Sequence, residues 1–364
     1  MSEYKLKIGI TQGDTNGVGW EIILKTFADS RMVELCTPII YGSKAAADFY
    51  GKTIAEFEPI QFNVCHSARE AKRGRVNLVT CGNENLAIEP GKPTVAAGKA
   101  AVDALKAAVA DLKCGELDAV VTAPINKESV QSDEWHYTGH TEFFAKEFDG
   151  EPIMIMCSDR LRVGLVTIHI PVSEVSANIT KEKIVASLAT MRQTLKQDFG
   201  VVEPRIAVLA LNPHAGDGGL LGQEEQEIIK PAIVEAFEGG TLAFGPFPAD
   251  GLFANGGYMK YDAILAMYHD QGLTPFKTLS PDGVNFTAAL SVVRTSPDHG
   301  VAYDIAGQDK ADEQSMRNAI YEAIDIVARR SAWQEWTANP LQRFEREKGR
   351  DVSVKELKFA EPEE

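Results

Sequence analysis

The fold is indicated first by residues 5–28, which read KLKIGITQGDTNGVGWEIILKTFA. The apolar run Lys5–Thr11 predicts a buried strand, and the glycine-rich turn after it leads into a predicted helix from about Trp20 to Ala28. A strand, a turn and a helix in immediate succession are typical of the start of an α/β sheet. The rest of the chain continues this alternation.

Short apolar runs and longer helical stretches alternate as far as about residue 330. Strands are predicted over Pro38–Tyr41, Asn77–Thr80, Asp118–Thr122, Arg162–His169, Arg205–Leu211 and Ala263–Tyr268, and helices over Thr94–Leu112, Ile179–Phe199, Gln223–Phe237 and Gln314–Arg330. This pattern predicts an α/β sheet with helices on both faces.

Seven loops rich in Gly, Pro, His and Asn stand out, and most of them follow predicted strands. They are Gly13–Gly19, Thr122–Lys127, Thr138–Glu142, Asn212–Gly222, Gly245–Phe253, His269–Lys277 and Arg294–Gly307. Ligands of open α/β sheets bind beyond the carboxyl ends of the strands, so these loops are the expected site.

Charge and composition exclude several classes of function. The chain has 364 residues, with 37 Lys and Arg against 52 Asp and Glu, and a formal net charge of -15. Nucleic acid and anionic membranes bind basic surfaces, so neither is an expected partner. No apolar run reaches the ~18 residues of a membrane-spanning helix, and no signal-peptide pattern is visible, so we expect a cytoplasmic protein. An anionic substrate would need a local cluster of cations.

Several familiar motifs are missing from the sequence. The turn GDTNGVG at residues 13–19 does not match GxGxxG, and no GK[ST] ending occurs, which argues against an ordinary Rossmann or P-loop nucleotide site. Five cysteines, Cys36, Cys65, Cys81, Cys114 and Cys157, are widely spaced and include no CxxC pair. We interpret them as small buried apolar residues rather than as a metal or disulfide framework.

Three of the seven histidines lie at or just beyond the ends of predicted strands. They are His169 in VGLVTIHIP, His214 in VLALNPHAG and His269 in ILAMYHDQG. Strand ends of this kind meet at one edge of a sheet or at a cleft, where three imidazoles could bind one divalent metal and leave positions open for substrate and water. The alternative is that each histidine only hydrogen-bonds to the backbone of its own loop, and the sequence pattern leaves both interpretations open.

Two further groups of residues could hold an anion. His140 and Thr141, in the motif GHTE, present an imidazole, a hydroxyl and backbone amides at the start of a predicted helix, although a plain helix cap has the same pattern. Lys277, Asn285 and Arg294 fall in a region with few other charges. The planar guanidinium of Arg294 could hold a carboxylate or a phosphate, and a solvated surface arginine is the alternative.

Seven blocks of sequence, spread over most of the chain, carry a family resemblance. They are ITQGDTNGVG (10–19), TAPINK (122–127), GHTE (139–142), LNPHAG (211–216), GPFPAD (245–250), MYHDQGL (267–273) and RTSPDHG (294–300). In these blocks the chain resembles the 4-hydroxythreonine-4-phosphate dehydrogenase family of pyridoxal phosphate biosynthesis. In addition, HGVAYDIAG (299–307) is similar to the adenosine-side loop of isocitrate and isopropylmalate dehydrogenases, whose NAD site is not of the Rossmann type.

The resemblance implies an architecture. It is a two-lobed α/β/α fold like that of isocitrate and isopropylmalate dehydrogenases, with the active site in the cleft between the lobes. Residues 1–127 and 274–345 would form the first lobe, and residues 128–273 the second, with the metal ligands and the dimer contacts. Independently of the resemblance, the density of Lys, Arg and Glu predicts a charged C-terminal tail at residues 346–364. The implied assembly is a homodimer with shared active sites.

The resemblance also implies roles for individual residues. The implied metal ligands are His169, His214 and His269, the implied substrate contacts are His140, Thr141, Lys277, Asn285 and Arg294, and His299 and Asp304 belong to the loop implied to bind NAD or NADP. Zinc suits imidazole ligands best, with cobalt, manganese or magnesium as alternatives. Asp270 and Lys127 are the nearest candidates for a general base, and Asp270 could instead orient His269.

The implied reaction is an NAD-dependent, metal-assisted oxidation and β-decarboxylation of 4-phosphooxy-threonine to 3-amino-2-oxopropyl phosphate, in pyridoxine 5'-phosphate biosynthesis. A dehydrogenase of threonate or erythronate 4-phosphate with the same fold is the nearest alternative, because the substrates differ in one substituent. A phosphate acyltransferase-like enzyme and a non-catalytic metal-binding module are more remote alternatives. The chain departs from the family pattern at Thr15, at Trp20 and at residues 288–291, which bears on fine substrate specificity.

Overall fold

The structure is a computed structural model that describes residues 5–54, 58–83, 85–133, 135–148 and 150–341, so the expected tail at 346–364 lies outside the described residues. Its strands are β1 (Lys7–Thr11), β2 (Thr37–Gly42), β3 (Asn63–Cys65), β4 (Asn77–Thr80), β5 (Ala119–Thr122), β6 (Ile153–Cys157), β7 (Arg162–Leu165), β8 (Arg205–Leu209), β9 (Leu242–Phe247), β10 (Ala263–Ala266), β11 (Val284–Ala288) and β12 (Val293–Pro297). They form one 12-stranded sheet in the order β3-β4-β2-β1-β5-β12-β11-β6-β7-β10-β8-β9.

The α-helices of the described residues are α1 (Gly19–Ala28), α2 (Met32–Leu35), α3 (Lys44–Thr53), α4 (Val95–Lys113), α5 (His140–Glu147), α6 (Val175–Asn178), α7 (Lys181–Gln197), α8 (Lys230–Glu238), α9 (Ala249–Ala254), α10 (His269–Leu279) and α11 (Gln314–Thr337). The two long helices α4 and α7 begin at threonine caps. Thr94 accepts a hydrogen bond from the backbone N–H of Ala97, and Thr180 from that of Lys183. Caps of this kind explain why these helix starts were predictable.

The sheet is mixed, and its two halves run in opposite directions. The pairs β12–β11, β11–β6 and β6–β7 are antiparallel, and every other pairing in the described sheet is parallel. Site residues therefore do not all come from strand ends at one edge of the sheet. The sheet is also continuous from one expected lobe into the other, because β11 pairs both with β12 of the first lobe and with β6 of the second. The lobe boundaries at residues 127 and 273 stay a prediction.

The two faces of the sheet are covered differently. One apolar cluster extends along one whole face and includes residues of α1, α3, α7, α8 and α11. The opposite face carries two separate clusters, one with α4 and α5 and the other with α9 and α10. Neighbouring residues such as Ile39 and Ile40 enter clusters on opposite faces, as the strand pleat requires. Between the two separate clusters, the central strands are open to a cleft.

The predicted α/β class is confirmed, with corrections in detail. His269–Lys277 was expected to be a loop and instead forms most of α10, while Arg294 lies within β12 rather than in a loop. The strand expected over Arg162–His169 ends at Leu165. Gly272 and Pro275 disfavour a helix, but a Cβ atom at Gly272 would lie 2.8 Å from Leu165, so close packing on β7 explains the glycine in α10.

The cysteine prediction is correct for three of the five positions. Cys36, Cys65 and Cys157 are buried, Cys81 is partly buried and Cys114 is exposed, and all five are free thiols. The interpretation of every cysteine as a buried apolar residue is therefore wrong for Cys114, which is at the C-terminal cap of α4. None of the helices in the described ranges combines the length and the apolar character that crossing a membrane requires.

Candidate active site

Alternate residues of the central strands form the floor of the cleft, whose cavity volume is ≈ 260 Å³. Asn285 on β11 pairs with Ser296 on β12 and with Met156 on β6, and all three side chains line the cleft. Val284 and Phe286, the neighbours of Asn285, belong instead to the core of the other face. A period of two along β11 thus separates site residues from core residues.

Arg294 places a buried positive charge on this floor. Its side chain donates to the Oγ1 atom of Thr122, at 2.6 Å from Nη2 and 3.1 Å from Nε, and to Oγ1 of Thr287 at 2.9 Å. Burial lowers the pKa of Arg294 to about 9, while the nearby Glu142 carboxylate acts in the opposite direction. The guanidinium stays charged at neutral pH and has no ion-pair partner among the described residues, so the floor can accept an anion.

Two lysines stand at the walls of the cleft. Lys277 on α10 pairs with Oδ1 of Asp298 at 3.0 Å and donates to its backbone oxygen at 3.2 Å. Burial raises the pKa of Asp298, and the Lys277 ammonium opposes that rise. Lys127 follows β5, is exposed and forms no ion pair within the described ranges. The cleft therefore holds more unpaired positive charge than the overall charge of the chain would suggest.

His140 and Thr141 open helix α5 and also line the cleft. The Nε2 atom of His140 is buried and has no hydrogen-bond partner among the residues that the structure describes. Burial, together with the charges of Arg294 and Lys127, lowers the pKa of His140 well below its usual value. His140 is therefore a neutral imidazole with one buried nitrogen available to a ligand.

His169 and His269 meet in the same cleft, with 5.8 Å between their ring centroids. His269 Nδ1 lies 2.7 Å from Oδ1 of Asp270, which leaves its Nε2 atom for another ligand. Burial, the charge of Lys127 and the neighbouring His269 lower the pKa of His169. A neutral imidazole is the form that binds a metal, so the donor chemistry of this pair fits a divalent ion.

His214 of the same chain does not line the cleft that holds His169 and His269. The strand-end argument is correct in that β7, β10 and β8 are parallel neighbours. However, His214 lines a different cavity of ≈ 500 Å³ with Asp250 and Tyr268. In the part of the chain that the structure describes, no group of three or more His, Cys, Asp or Glu residues is placed to hold a metal. A single chain thus brings together two of the three predicted ligands.

The loop that carries His214 has an unusual backbone. His214 itself has φ 52°, and Ala215 and Asp217 are also in the left-handed region. The buried Glu225 carboxylate fixes the base of this loop, because its Oε1 atom accepts from the backbone N–H groups of Leu211 and Asn212 at 2.8 and 2.7 Å. Sequence reasoning missed Glu225, and its acidic surroundings gave no signal that would have distinguished it.

The two residues predicted to bind the cofactor are placed differently. His299 lies at the junction between the cleft and a second groove, and its buried Nε2 atom has no hydrogen-bond partner in the described part of the chain. Asp304 is exposed and lines neither cavity. The GDTNGVG turn packs directly on the His299 loop, where the Tyr303 hydroxyl donates to Asp14 Oδ2 at 2.8 Å. Close approach requires glycine in this turn, because a Cβ atom at Gly17 would lie 2.7 Å from the Val301 oxygen.

Several residues that line the cleft were not predicted as site residues. Ser296 and Asp298 belong to the RTSPDHG block and Glu142 to GHTE, so their motifs were a signal that could have found them. Met154 and Met156 also line the cleft. Their apolar strand gave no sign that one face is open, since a buried strand has the same sequence pattern.

Comparisons with known proteins show the family to which the chain belongs. The family model described as "Pyridoxal phosphate biosynthetic protein PdxA" matches residues 34–323. The chain belongs to this family. A 4-hydroxythreonine-4-phosphate dehydrogenase of Bacteroides thetaiotaomicron is 51% identical over 358 residues, which cover 98% of both chains. A D-threonate 4-phosphate dehydrogenase of Cupriavidus necator is 37% identical over 337 residues, covering 91% of this chain and 100% of that protein.

A solved structure confirms the fold. The crystal structure of 4-hydroxythreonine-4-phosphate dehydrogenase from Klebsiella pneumoniae matches with a TM-score of 0.78 at 32% identity, covering 90% of this chain and 99% of the other. The predicted family and fold class are therefore confirmed, and the chain is a member of a dehydrogenase family of pyridoxal phosphate biosynthesis. The names of the relatives include both an amino and a hydroxy substrate.

Proposed function

We propose that this protein oxidises and decarboxylates 4-phosphooxy-threonine to 3-amino-2-oxopropyl phosphate, as a cytoplasmic homodimeric enzyme of pyridoxine 5'-phosphate biosynthesis that uses NAD and a divalent metal. The observation that carries this proposal is the buried Arg294, which has no ion-pair partner in the described residues and shares a cleft with His169 and His269. A substrate with a phosphate and a carboxylate supplies the missing negative charge. The relative that is 51% identical supports this choice of substrate.

The residues of the cleft floor would bind and orient the substrate. Arg294 and Lys277 would hold its anionic groups, and the neutral His140, with Thr141, would add hydrogen bonds at the start of α5. The Oδ1 atom of Asn285 is buried and has no hydrogen-bond partner within the described ranges, so it would accept a hydrogen bond from the substrate. These contacts fix the alcohol carbon relative to the cofactor, which is the main contribution of positioning to the rate.

The imidazoles would hold the metal. His169 and His269 of one chain fit such a role, and we propose that His214 of a second copy completes the trio in the homodimer. Zinc is favoured by imidazole ligands, with cobalt, manganese or magnesium as alternatives. When bound, the metal supplies a positive charge that lowers the pKa of the alcohol and stabilises the charge that develops during decarboxylation. Asp270 holds His269 in place through Nδ1, which makes Asp270 a positioning residue.

Lys127 is our candidate for the group that accepts the alcohol proton, a role that it would fill only as the neutral amine, after it has lost the proton that makes it a cation of the cleft. It lines the cleft and forms no ion pair in the described ranges, in contrast to Lys277, which is paired with Asp298. A general base must lie within hydrogen-bond reach of the proton that it removes.

The cofactor would extend away from the cleft. His299 connects the cleft with the second groove, where the remainder of the cofactor would lie. NAD supplies the hydride acceptor for this oxidation.

A second candidate substrate is D-threonate 4-phosphate, which is favoured by the relative from Cupriavidus necator. The decisive experiment compares the amino and the hydroxy substrate side by side, and follows the absorbance of reduced nicotinamide with and without a chelator. We expect metal-dependent NADH formation, with kcat/KM higher for 4-phosphooxy-threonine by on the order of tenfold or more. A faster reaction with threonate 4-phosphate would favour the second candidate. No NADH from either substrate would contradict both and favour a transferase or a metal-binding module.

The shared metal site has its own test. His169→Ala, His214→Ala and His269→Ala should each lower bound metal, measured by elemental analysis, while the exposed His136→Ala serves as the control. Mixing His169→Ala with His214→Ala chains should restore activity, because one site of each mixed dimer regains all three imidazoles. About a quarter of the wild-type activity is expected for random pairing of the chains. Full metal content in all three variants would contradict the proposed ligands.

A further inference from the structure

The His214 loop has a backbone conformation that L-amino acids avoid. The five consecutive residues 214–218 all have positive φ angles, between 43° and 77°. Three of them, His214, Ala215 and Asp217, carry a Cβ atom and are therefore strained in the left-handed region. A run of this kind persists only where the surrounding structure fixes it, and such strain is concentrated at functional sites. The contacts that fix this turn therefore bear on what His214 can do.

Glu225 supplies these contacts. Its side chain is fully buried, and its Oε1 atom accepts from the backbone N–H groups of Leu211 and Asn212 at 2.8 and 2.7 Å. Its Oε2 atom accepts from Asn212 Nδ2 at 3.0 Å. The left-handed turn packs against the same oxygen, because a Cβ atom at Gly216 would lie 2.5 Å from Oε2. One carboxylate thus contacts both the start of the turn and its middle.

The helix that carries Glu225 is also unusual. Its first turn, Glu225–Ile229, is a π-helix that leads into α8, and π-helical turns are rare and frequent at functional sites. Beside this turn, two consecutive carboxylates reach one residue, since Asn212 Nδ2 also donates to Glu224 Oε2 at 2.8 Å. Glu224 Oε1 accepts in turn from the hydroxyl of Ser176 on α6 at 2.6 Å. Hydrogen bonds therefore connect the base of the loop to two other segments of the chain.

We propose that Glu225 is a positioning residue for His214, whose left-handed turn it holds in the arrangement that presents the imidazole to the metal site of a second copy. This inference rests on the proposed function and specifies how its third ligand is held. Glu225 contacts neither metal nor substrate and acts through the backbone of the loop. Groups that orient a metal ligand in this way typically change the affinity for the metal by about 10- to 100-fold.

The first test measures the affinity of the metal-free protein for Co²⁺, followed by the visible absorption of the bound ion. Glu225→Gln keeps one oxygen for the backbone N–H groups of Leu211 and Asn212, but it turns an amide donor towards Asn212 Nδ2. We expect the dissociation constant for Co²⁺ to rise on the order of tenfold. Glu227→Gln is the matched control, because the same change is made two residues away at an exposed position, and it should bind Co²⁺ like the wild type. An unchanged dissociation constant in Glu225→Gln would overturn the inference.

Mixed dimers distinguish positioning from a general loss of stability. When His169→Ala chains are mixed with His214→Ala chains, the one complete site takes its His214 from the His169→Ala chain. Glu225→Gln added to the His169→Ala chain should therefore raise the Co²⁺ concentration that gives half of the restored activity, on the order of tenfold. The same substitution added to the His214→Ala chain should leave that concentration unchanged. Equal effects of the two placements would show a merely structural role and overturn the inference.

The single variant His214→Ala separates this inference from the proposed function. Weaker Co²⁺ binding in both His214→Ala and Glu225→Gln, without NADH formation from any phosphorylated hydroxy acid, would support the positioning and contradict the proposed reaction. Weaker binding in His214→Ala alone would overturn only the role of Glu225. Unchanged binding in His214→Ala would overturn both the role of Glu225 and the proposed shared metal site.

Discussion

The two faces of strands β11 and β12 perform different tasks. On one face Phe286 and Val293 belong to the continuous apolar cluster, and Phe286 meets Phe199 edge-on with 6.0 Å between ring centroids. On the other face Asn285 and Arg294 form the floor of the cleft. Stability and substrate binding therefore alternate along the same two strands, and a register shift of one residue would exchange them. Substitutions on the two faces should accordingly have separable effects.

The largest expected effect on stability lies on the core face. Phe286→Ala removes a fully buried ring from the centre of the sheet, and it should lower the free energy of unfolding by about 3–5 kcal/mol. Urea denaturation followed by circular dichroism measures this loss. A loss below about 1 kcal/mol would show that the cluster on this face collapses around the vacancy and is not the rigid support described above.

A smaller loss is expected where the core face is polar. Thr295 donates to the backbone oxygen of Ala319 on α11 at 2.7 Å, and both residues are buried. Thr295→Val keeps the shape and removes this hydrogen bond, while the oxygen keeps its bond within α11, so the free energy of unfolding should fall by about 0.5–1.5 kcal/mol. Thr295→Ser keeps the hydroxyl and serves as the control. An unchanged free energy of unfolding in Thr295→Val would show that the hydrogen bond does not contribute as assigned.

On the cleft face, a substitution at Arg294 should not lower the free energy of unfolding in this way. Arg294→Met removes a buried charge that has no ion-pair partner in the described residues, so the cost of its desolvation disappears with it. The free energy of unfolding should remain within about 1 kcal/mol of the wild type, or increase. The same urea titration measures this. A loss as large as that of Phe286→Ala would show that Arg294 stabilises the fold.

The smallest effect concerns pH. The pKa of His140 is lower in the folded protein than in the unfolded chain. As the pH falls below about 6.5, His140 therefore becomes protonated in the unfolded chain while it stays neutral in the folded protein. The wild type should therefore lose stability in this range, and His140→Asn should lose less. Urea titrations of chelator-treated protein at about pH 7.5 and about pH 5.5 compare the two. Identical losses would contradict the lowered pKa.

The sequence predicted the regular parts of the fold better than the open parts. The alanine-rich α4 has a threonine cap and was predictable from local pattern alone. Helix α10 was not, because Gly272 and Pro275 disfavour a helix that tertiary packing nevertheless imposes. The sequence around Arg294 predicts a loop, because nothing in its neighbours shows that β12 is covered on one face and open on the other.

The candidate site, like the fold, could be predicted from the sequence only in part. Strand ends and family motifs located most of the cleft residues, and His169 and His269 do lie together. What the sequence could not provide was the path of the His214 loop, whose left-handed backbone depends on the buried Glu225 at its base.

The central claim is that Arg294 exists to bind the substrate and not to stabilise the sheet. Calorimetric titration of 4-phosphooxy-threonine into the wild type and into Arg294→Met, under conditions in which both are folded, tests it most directly. We predict that the dissociation constant rises on the order of a hundredfold in the variant, as expected for the loss of charge-assisted hydrogen bonds to an anion. An unchanged dissociation constant would contradict the account.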